Sequence, residues 1–405
     1  MRIAMISEHA SPLATLGGED AGGQNAHVAQ LSATLAADGH EVRVYTRRDA
    51  PTLPERIRMR SGVTVVHVPA GPARQLPKDE LLPYMPAFGE WLVEHWRRDE
   101  WIPEVAHAHF WMSGLATVAA ARQLDVPVVQ TYHALGVVKR RHQGARDTSP
   151  PERISCERAL GCAVDRVIAQ SQDEVAELLD LGVPRARVVV VPSGVDESVF
   201  TPDGPAMARD PHRPRILTVG RLVPRKGFQD VIAALRLVPK AECVVVGGPP
   251  EADLDADTQA RRLRALAERY QVADRVRLVG AVPHEQMPLW YRSSDVLVAA
   301  PWYEPFGLTP LEAMACGVPV VATAVGGLTD TVVDGLTGDL VPPRDPHALG
   351  TALRRLLDDR VRRFAYATAA VDRVRNCYTW RRTAAQLTSV YAAVRRVPAA
   401  SEVVA

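Results

Sequence analysis

Nowhere in its 405 residues does the chain hold an apolar run approaching the about 20 residues that a membrane-spanning helix needs. A transmembrane protein is therefore not expected. The opening stretch, MRIAMISEHA, reads as a strand and lacks the apolar region and cleavage site of a secretory leader. Cysteine is scarce: Cys156, Cys162, Cys243, Cys316 and Cys377, with no CxxC among them. Five scattered thiols give neither a disulfide framework nor a zinc cage, and they suit a reducing, cytoplasmic setting. A surplus of one charge is missing as well. The formal net charge is +1, so nothing global argues for nucleic acid or an acidic membrane surface as partner. There is no repeat at solenoid spacing and no low-complexity segment.

What the chain does have is apolar material, 47% of residues, enough for two cores. It is arranged as short β-branched runs between helical stretches. The first half carries RIAMISEH, EVRVYTR, VTVVHVPA, VAHAHF, VPVVQTYH, RVIAQS and RVVVVPSG; the second carries RILTVG, ECVVVGG, RVRLVG, VLVAAP, VPVVAT and GDLVPP. Runs apolar on both faces are those of parallel strands covered by helices. Alternation throughout predicts an α/β protein of two doubly wound, Rossmann-like domains. Residues 196–214, with four prolines and little periodicity, read as the linker between a domain at 1–196 and another at 215–380. The tail, at about 381–397, has an amphipathic helical pattern: Trp380, Ala384, Leu387, Val390, Tyr391 and Val394 share a face. On pattern alone it reads as a lid on the second domain. Trp91, Trp96 and Trp101, five apart, do not line one helical face and read as core rather than as a lipid anchor.

In open parallel sheets ligands sit beyond the carboxyl ends of the strands. After the first strand come two glycine pairs, Gly17-Gly18 and Gly22-Gly23, then a helix whose N-terminus favours an anion. His133 ends a first-domain strand, at the rim where ligands bind, though a lone histidine there is more often structural than ligand-binding. Lys139, Arg140, Arg141 and Arg146 form a solvated face or a receptor for a phosphorylated partner. In GRLVPRKG, Arg221 and Lys226 stand at a strand end where two cations suit a diphosphate, the plain alternative being exposed surface. Gly326-Gly327 marks another loop of close approach. The stretch EPFGLTPLEAMACGVPVVAT places Glu304 and Glu312 eight residues apart around Gly307 and a helix start. Thr309-Pro310-Leu311-Glu312 has the form of a capping box, which gives Glu312 a purely local reading. Glu304 lies before the helix and has no such reading. Free amides, a glycine and cations from another loop make an anion site without metal, and two flanking carboxylates accept hydroxyls on either side of it. A nucleotide sugar has that shape.

These segments resemble a known family. The E-x7-E form of Glu304 and Glu312 is similar to that of retaining, nucleotide-sugar-dependent glycosyltransferases of the two-domain GT-B fold. GRLVPRKG resembles the family's phosphate-gripping loop, and DAGGQNAHV its N-terminal glycine loop. HAHFWMSG and TYHALGVVKRRHQGARDTSPPERISCERAL are similar to the branch that contains mycothiol-pathway inositol-phosphate glycosyltransferases and sucrose-phosphate synthases. The resemblance covers nearly the whole chain. It implies that Glu312 binds the ribose and Glu304 the donor sugar. It implies that Arg221 and Lys226 neutralise the leaving diphosphate with the amides of Phe306, Gly307, Leu308 and Thr309. Gly22 and Gly23 would let the first domain reach the phosphates, His133 would contact the donor sugar, and GAVPHEQ, with Val282, would hold the base. Lys78, His109, Lys139 and Arg153 would line the acceptor site. The tail helix would cross back to the first domain, against the lid reading.

Transfer would be retaining, with leaving-group stabilisation and positioning as the protein's work. The expected partners are an NDP-sugar donor, UDP favoured, and a small-molecule or sugar acceptor. No cofactor or metal is expected, and a homodimer stays open. In the inositol-phosphate branch a tyrosine and a threonine hold the acceptor phosphate; this chain has Phe110 and Ala134 there, so the acceptor is open between a phosphorylated and a neutral compound. Two other readings use the same motifs: a nucleotide-sugar epimerase and a non-catalytic nucleotide-sugar binder. A phosphorylase would want a pyridoxal phosphate lysine, for which no motif is present.

Overall fold

A computed structural model describes residues 1–14 and 22–396. The glycine pair Gly17-Gly18 and the tail beyond 396 lie outside the described residues. The first domain is an eight-stranded sheet built from β1 (Arg2–Ile6), β2 (Glu41–Arg47), β3 (Arg56–Arg58), β4 (Thr64–Val68), β5 (Val105–His109), β6 (Val128–Thr131), β7 (Arg166–Ala169) and β8 (Val188–Val190). Its spatial order is β3-β4-β2-β1-β5-β6-β7-β8, parallel except for β3, which runs antiparallel to β4. The second domain is a six-stranded parallel sheet of β9 (Arg215–Val219), β10 (Glu242–Val246), β11 (Val276–Gly280), β12 (Val296–Ala299), β13 (Val320–Thr323) and β14 (Gly338–Val341), ordered β11-β10-β9-β12-β13-β14. Every apolar run named above becomes a strand. The strand the sequence did not announce, Arg56–Arg58, has one apolar residue between two arginines and needs only half a burial surface at the sheet edge.

Each sheet is covered on both faces. In the first domain, Phe88, Trp96 and Trp111 pack on one face. On the other, Ile3 and Met5 meet Val28, Leu31 and Leu35 of helix Gly23–Ala37. Trp96 and Trp101 are buried and Trp91 is packed against the same core, stacked on the His95 ring at 4.2 Å, as a core reading requires. Among the described residues no helix is long and apolar enough to cross a membrane.

The segment 196–214 is not a loose tether. Phe200 is buried against the rings of His284 and Tyr291, and Arg292 donates to the carbonyls of Thr201, Asp203 and Pro205. It is folded onto the second domain. The chain returns beside its outward crossing: the Val195 amide donates to the Tyr378 carbonyl at 2.8 Å, and Val195 forms a parallel bridge with Thr379. Helix Trp380–Val394 then packs Trp380, Ala384, Leu387 and Tyr391 into the first-domain core beside Ile3 and Val28. The lid reading is thus corrected. The tail's apolar face matched either domain in pattern; the first domain's face at Ile3 and Val28 is the one it completes.

In both sheets the chain order reverses beside the first strand, between β1 and β5 and between β9 and β12. Loops leave opposite faces there and open a crevice beyond the strand ends. The two crevices face each other as one cleft of about 400 Å³.

Candidate active site

Two helix N-termini meet across this cleft. Helix Gly23–Ala37 starts after Gly22, and helix Leu308–Ala315 starts after Gly307, whose φ of +92° is left-handed. A methyl group on Gly23 would lie 3.6 Å from the Leu308 side chain, so the two ends, one per domain, are in near contact. Each presents amides without intrahelical partners, and each macrodipole has its positive end here. The cleft is lined by Gly22, Gly23, Phe306, Gly307, Leu308 and Thr309 from these ends, with Arg221, Arg225 and Lys226 opposite.

The capping box is absent. The cap is Gly307, with no side-chain hydrogen bond, and Thr309 lies inside the first turn. A glycine that turns left-handed starts the helix two residues earlier than the Thr-Pro signal suggests. Glu312 is therefore not occupied in capping. It is buried; Tyr291 donates its hydroxyl to Oε2 at 2.6 Å, and His284 Nε2 lies 2.9 Å from Oε1. Burial works against a charge on His284, but the Glu312 carboxylate outweighs it and raises the imidazole above its ordinary value. His284 belongs to the GAVPHEQ loop, which also carries Val282, half-buried against the second-domain core.

Glu304 pairs with Lys226 Nζ at 2.5 Å and has Arg225 Nη1 at 4.0 Å. Burial would raise its carboxyl, but Lys226, Arg225 and Arg221 together hold it below the usual carboxylate range. The acid is ionised, and three cations surround one anion. The Glu304 loop is braced from behind by Gly326-Gly327. The Gly327 amide donates to the Glu304 carbonyl at 3.0 Å, and a methyl on Gly326 would stand 2.1 Å from that oxygen. The close approach expected of this pair is real, and its object is the Glu304 backbone.

On the first-domain side, four histidines form a string. His107 lies between Tyr391 Oη (2.6 Å) and Thr131 Oγ1 (2.8 Å), and its ring packs on His109 at 4.2 Å. His109 Nδ1 and His133 Nε2 share a proton over 3.0 Å with the rings stacked, and His27 meets His133 edge-on at 4.9 Å. Burial, aided by the neighbouring imidazoles, lowers His133 and His109 well below the ordinary histidine value, and burial alone takes His27 to about 3. All three are neutral at physiological pH. His133 therefore borders the cleft as a neutral ring, with φ +61°. His27, His109 and His133 each bring a ring nitrogen within 4.8 Å of the others, and neutral imidazole is the metal-binding form. His109 is 0% exposed behind His133. It is not among the residues that line the cleft; its ring stacks on His133, which is. Lys78, Lys139 and Arg153 do line the cleft, next to Phe110 and Ala134.

Sequence reading missed His9, His27, Arg225, His284 and Tyr291. His284 lay within a quoted loop and Arg225 inside GRLVPRKG. His27 stood within DAGGQNAHV, and Tyr291, near the end of helix Met287–Arg292, is brought to the site only by the fold.

Residues 205–372 match the family Glycosyl transferases group 1, and residues 21–199 match Glycosyltransferase Family 4. The chain is 39% identical to a D-inositol 3-phosphate glycosyltransferase of Xylanimonas cellulosilytica, with 98% of each chain covered. It is 37% identical to a protein of the same name from Acidothermus cellulolyticus, over 96% of this chain and 90% of that one. Among solved structures, the sucrose-phosphate synthase of Thermosynechococcus elongatus superposes with a TM-score of 0.88 at 33% identity, over 97% of this chain and 98% of that one. HepE of Anabaena, solved with UDP and glucose, shares the fold at a TM-score of 0.75 and 18% identity, over 97% of this chain and 99% of that one. Whole-length identity, the order of the motifs and the paired-domain fold agree: this chain is a glycosyltransferase of the GT-B fold and belongs to the glycosyl transferases group 1.

Proposed function

We propose that the chain is a retaining, metal-independent hexosyltransferase. It moves a hexosyl unit from a nucleoside-diphosphate sugar, UDP favoured, to a hydroxyl of a sugar, a cyclitol or another small molecule, phosphorylated or not. The observation that carries this reading is the meeting of two helix N-termini and three cations at one point between the domains. That point suits a diphosphate, and the carboxylates of Glu304 and Glu312 stand on either side of it, where a sugar and a ribose have their hydroxyls.

In the reaction, the bond from the anomeric carbon to the β-phosphate oxygen breaks, and a bond to the acceptor oxygen forms on the same face. The acceptor's proton goes to the departing phosphate. Lys226, Arg221 and the two sets of amides stabilise charge as it grows on that phosphate; one such preorganised donor is worth about 10²–10³ in rate. His133 offers the sugar a neutral hydrogen bond. The free thiols, Cys243 and Cys316 buried among them, suit the cytoplasm.

The test is transfer from UDP-hexoses in the presence of EDTA, with the product anomer read by NMR. Acceptor-dependent release of UDP with the donor's anomeric configuration retained is expected. An epimerised nucleotide sugar formed without acceptor, inversion, or loss of turnover on chelation each contradicts a stated part of the proposal.

A further inference from the structure

The first-domain wall of the cleft carries as many cations as the donor wall, yet it uses them differently. We infer that the acceptor is an uncharged polyhydroxy compound rather than a phosphate ester. This inference rests on the transferase reading above.

Arg153 is 2% exposed and each of its three nitrogens has an acceptor: Nε donates to Glu157 at 2.7 Å, Nη1 to Ser149 Oγ at 3.1 Å and Nη2 to the Ala134 carbonyl at 2.6 Å. Its guanidinium lies over the Phe110 ring at 5.0 Å. Glu157 is wholly buried and also takes the Gly136 amide at 2.8 Å. A phosphate that took Arg153 from Glu157 would leave a buried carboxylate beside a dianion. Lys139 is equally engaged, with Asp147 at 3.1 Å, Asp79 at 3.4 Å and Ser149 Oγ at 2.9 Å. Burial would raise Asp79, but the Thr148 hydroxyl and the charges of Lys139 and Lys78 hold it low, so it stays an anion. Half-exposed Arg140 reaches Asp147 only at 4.0 Å. Lys78, Lys139 and Arg153 are matched by Asp79, Asp147 and Glu157.

The donor wall is the internal control. There Arg225 and Lys226 face Glu304, and Arg225 Nη1 is buried without a hydrogen-bond acceptor. A buried guanidinium nitrogen lacks an acceptor where a diphosphate is expected, whereas every nitrogen of Arg153 and Lys139 has one where the acceptor is expected. Apolar groups complete the acceptor wall. The Phe110 ring and the Ala134 methyl suit the C–H face of a ring. His9 packs edge-on against Phe110 at 4.9 Å. Its Nδ1 is taken by Glu8 at 2.7 Å, so Nε2 is the nitrogen left for a hydroxyl.

The test uses the full chain saturated with UDP, which fills the donor anion site. Inorganic phosphate is titrated in by calorimetry, and transfer is assayed with matched pairs: glucose and glucose 6-phosphate, fructose and fructose 6-phosphate, myo-inositol and its 1-phosphate. Phosphate is expected not to bind below about 10 mM, and the neutral member of any pair used is expected to lead by about tenfold in kcat/KM. The double variant Asp79→Asn, Asp147→Asn strips Lys139 of its anions and is expected to gain phosphate affinity by about tenfold or more. Phosphate binding to the UDP-loaded native chain with a Kd under about 1 mM overturns the inference, as does preference for a phosphorylated member or no gain in the double variant. Failure to bind UDP at all defeats the donor-site reading instead, and this one falls with it.

Discussion

A single carboxylate, Glu304, sets the charge of the donor half. It holds Lys226 and stands near Arg225. Under the proposed function, a bound diphosphate would give the cations a second anion to serve and release Glu304 toward the sugar. Glu304→Ala is therefore expected to lower kcat by about 10²–10³ while UDP affinity, measured by calorimetry, is kept or tightened. Near-normal turnover would remove Glu304 from the donor site. His284 and Glu312 give a prediction in pH. The folded His284 titrates above its unfolded value, so the pair contributes stability that is complete below about pH 6.5 and fades as pH rises through the raised value. The melting temperature of native protein minus that of His284→Gln should be largest in mild acid and shrink on the alkaline side. A difference that grows with pH would contradict the pairing. Neither contact could be read from the sequence. Glu312 looked like a cap because Thr309-Pro310 is a real helix-start signal, and only the left-handed Gly307 overrides it.

Strand ends and helix starts made the site's location legible before any side chain was placed. Each apolar run became a strand because parallel strands, buried on both faces, must be nearly continuous in apolar residues. The loops after β9 and β12 could then be assigned to one rim, and Lys226 and Glu304 do meet there. What stayed hidden depends on which way an alternating side chain faces. His109 ends β5 as His133 follows β6, yet one is turned in and the other borders the cleft. The Gly326-Gly327 turn was legible as a close approach, but its partner was not. Because a Cβ on Gly326 would press on the Glu304 carbonyl and φ is +51°, Gly326→Ala should cost about 1–3 kcal/mol of stability. It should also raise KM for the donor by displacing the Glu304 loop. Thermal melts and donor kinetics read the two effects, and a variant with both unchanged would show that the brace is idle.

Two domains joined at a doubled crossing, Val195 beside Tyr378 and Thr379, share one cleft. The C-terminal helix ties the far end of the chain to the first domain and touches the histidine string twice, through Trp380 on His27 and Tyr391 on His107. The second domain brings the cations and the E-x7-E pair; the first brings His133 and the opposing helix end. Neither half alone holds a nucleotide sugar and an acceptor, and closure on the ligand would exclude water from both. The most direct measurement is a crystal structure of the chain with UDP. The β-phosphate should lie within hydrogen-bond reach of Lys226 and of the amides that open helix Leu308–Ala315, with the ribose on Glu312 and the Gly22-Gly23 helix end facing it. A diphosphate bound elsewhere, or no density at saturating UDP, would contradict the account.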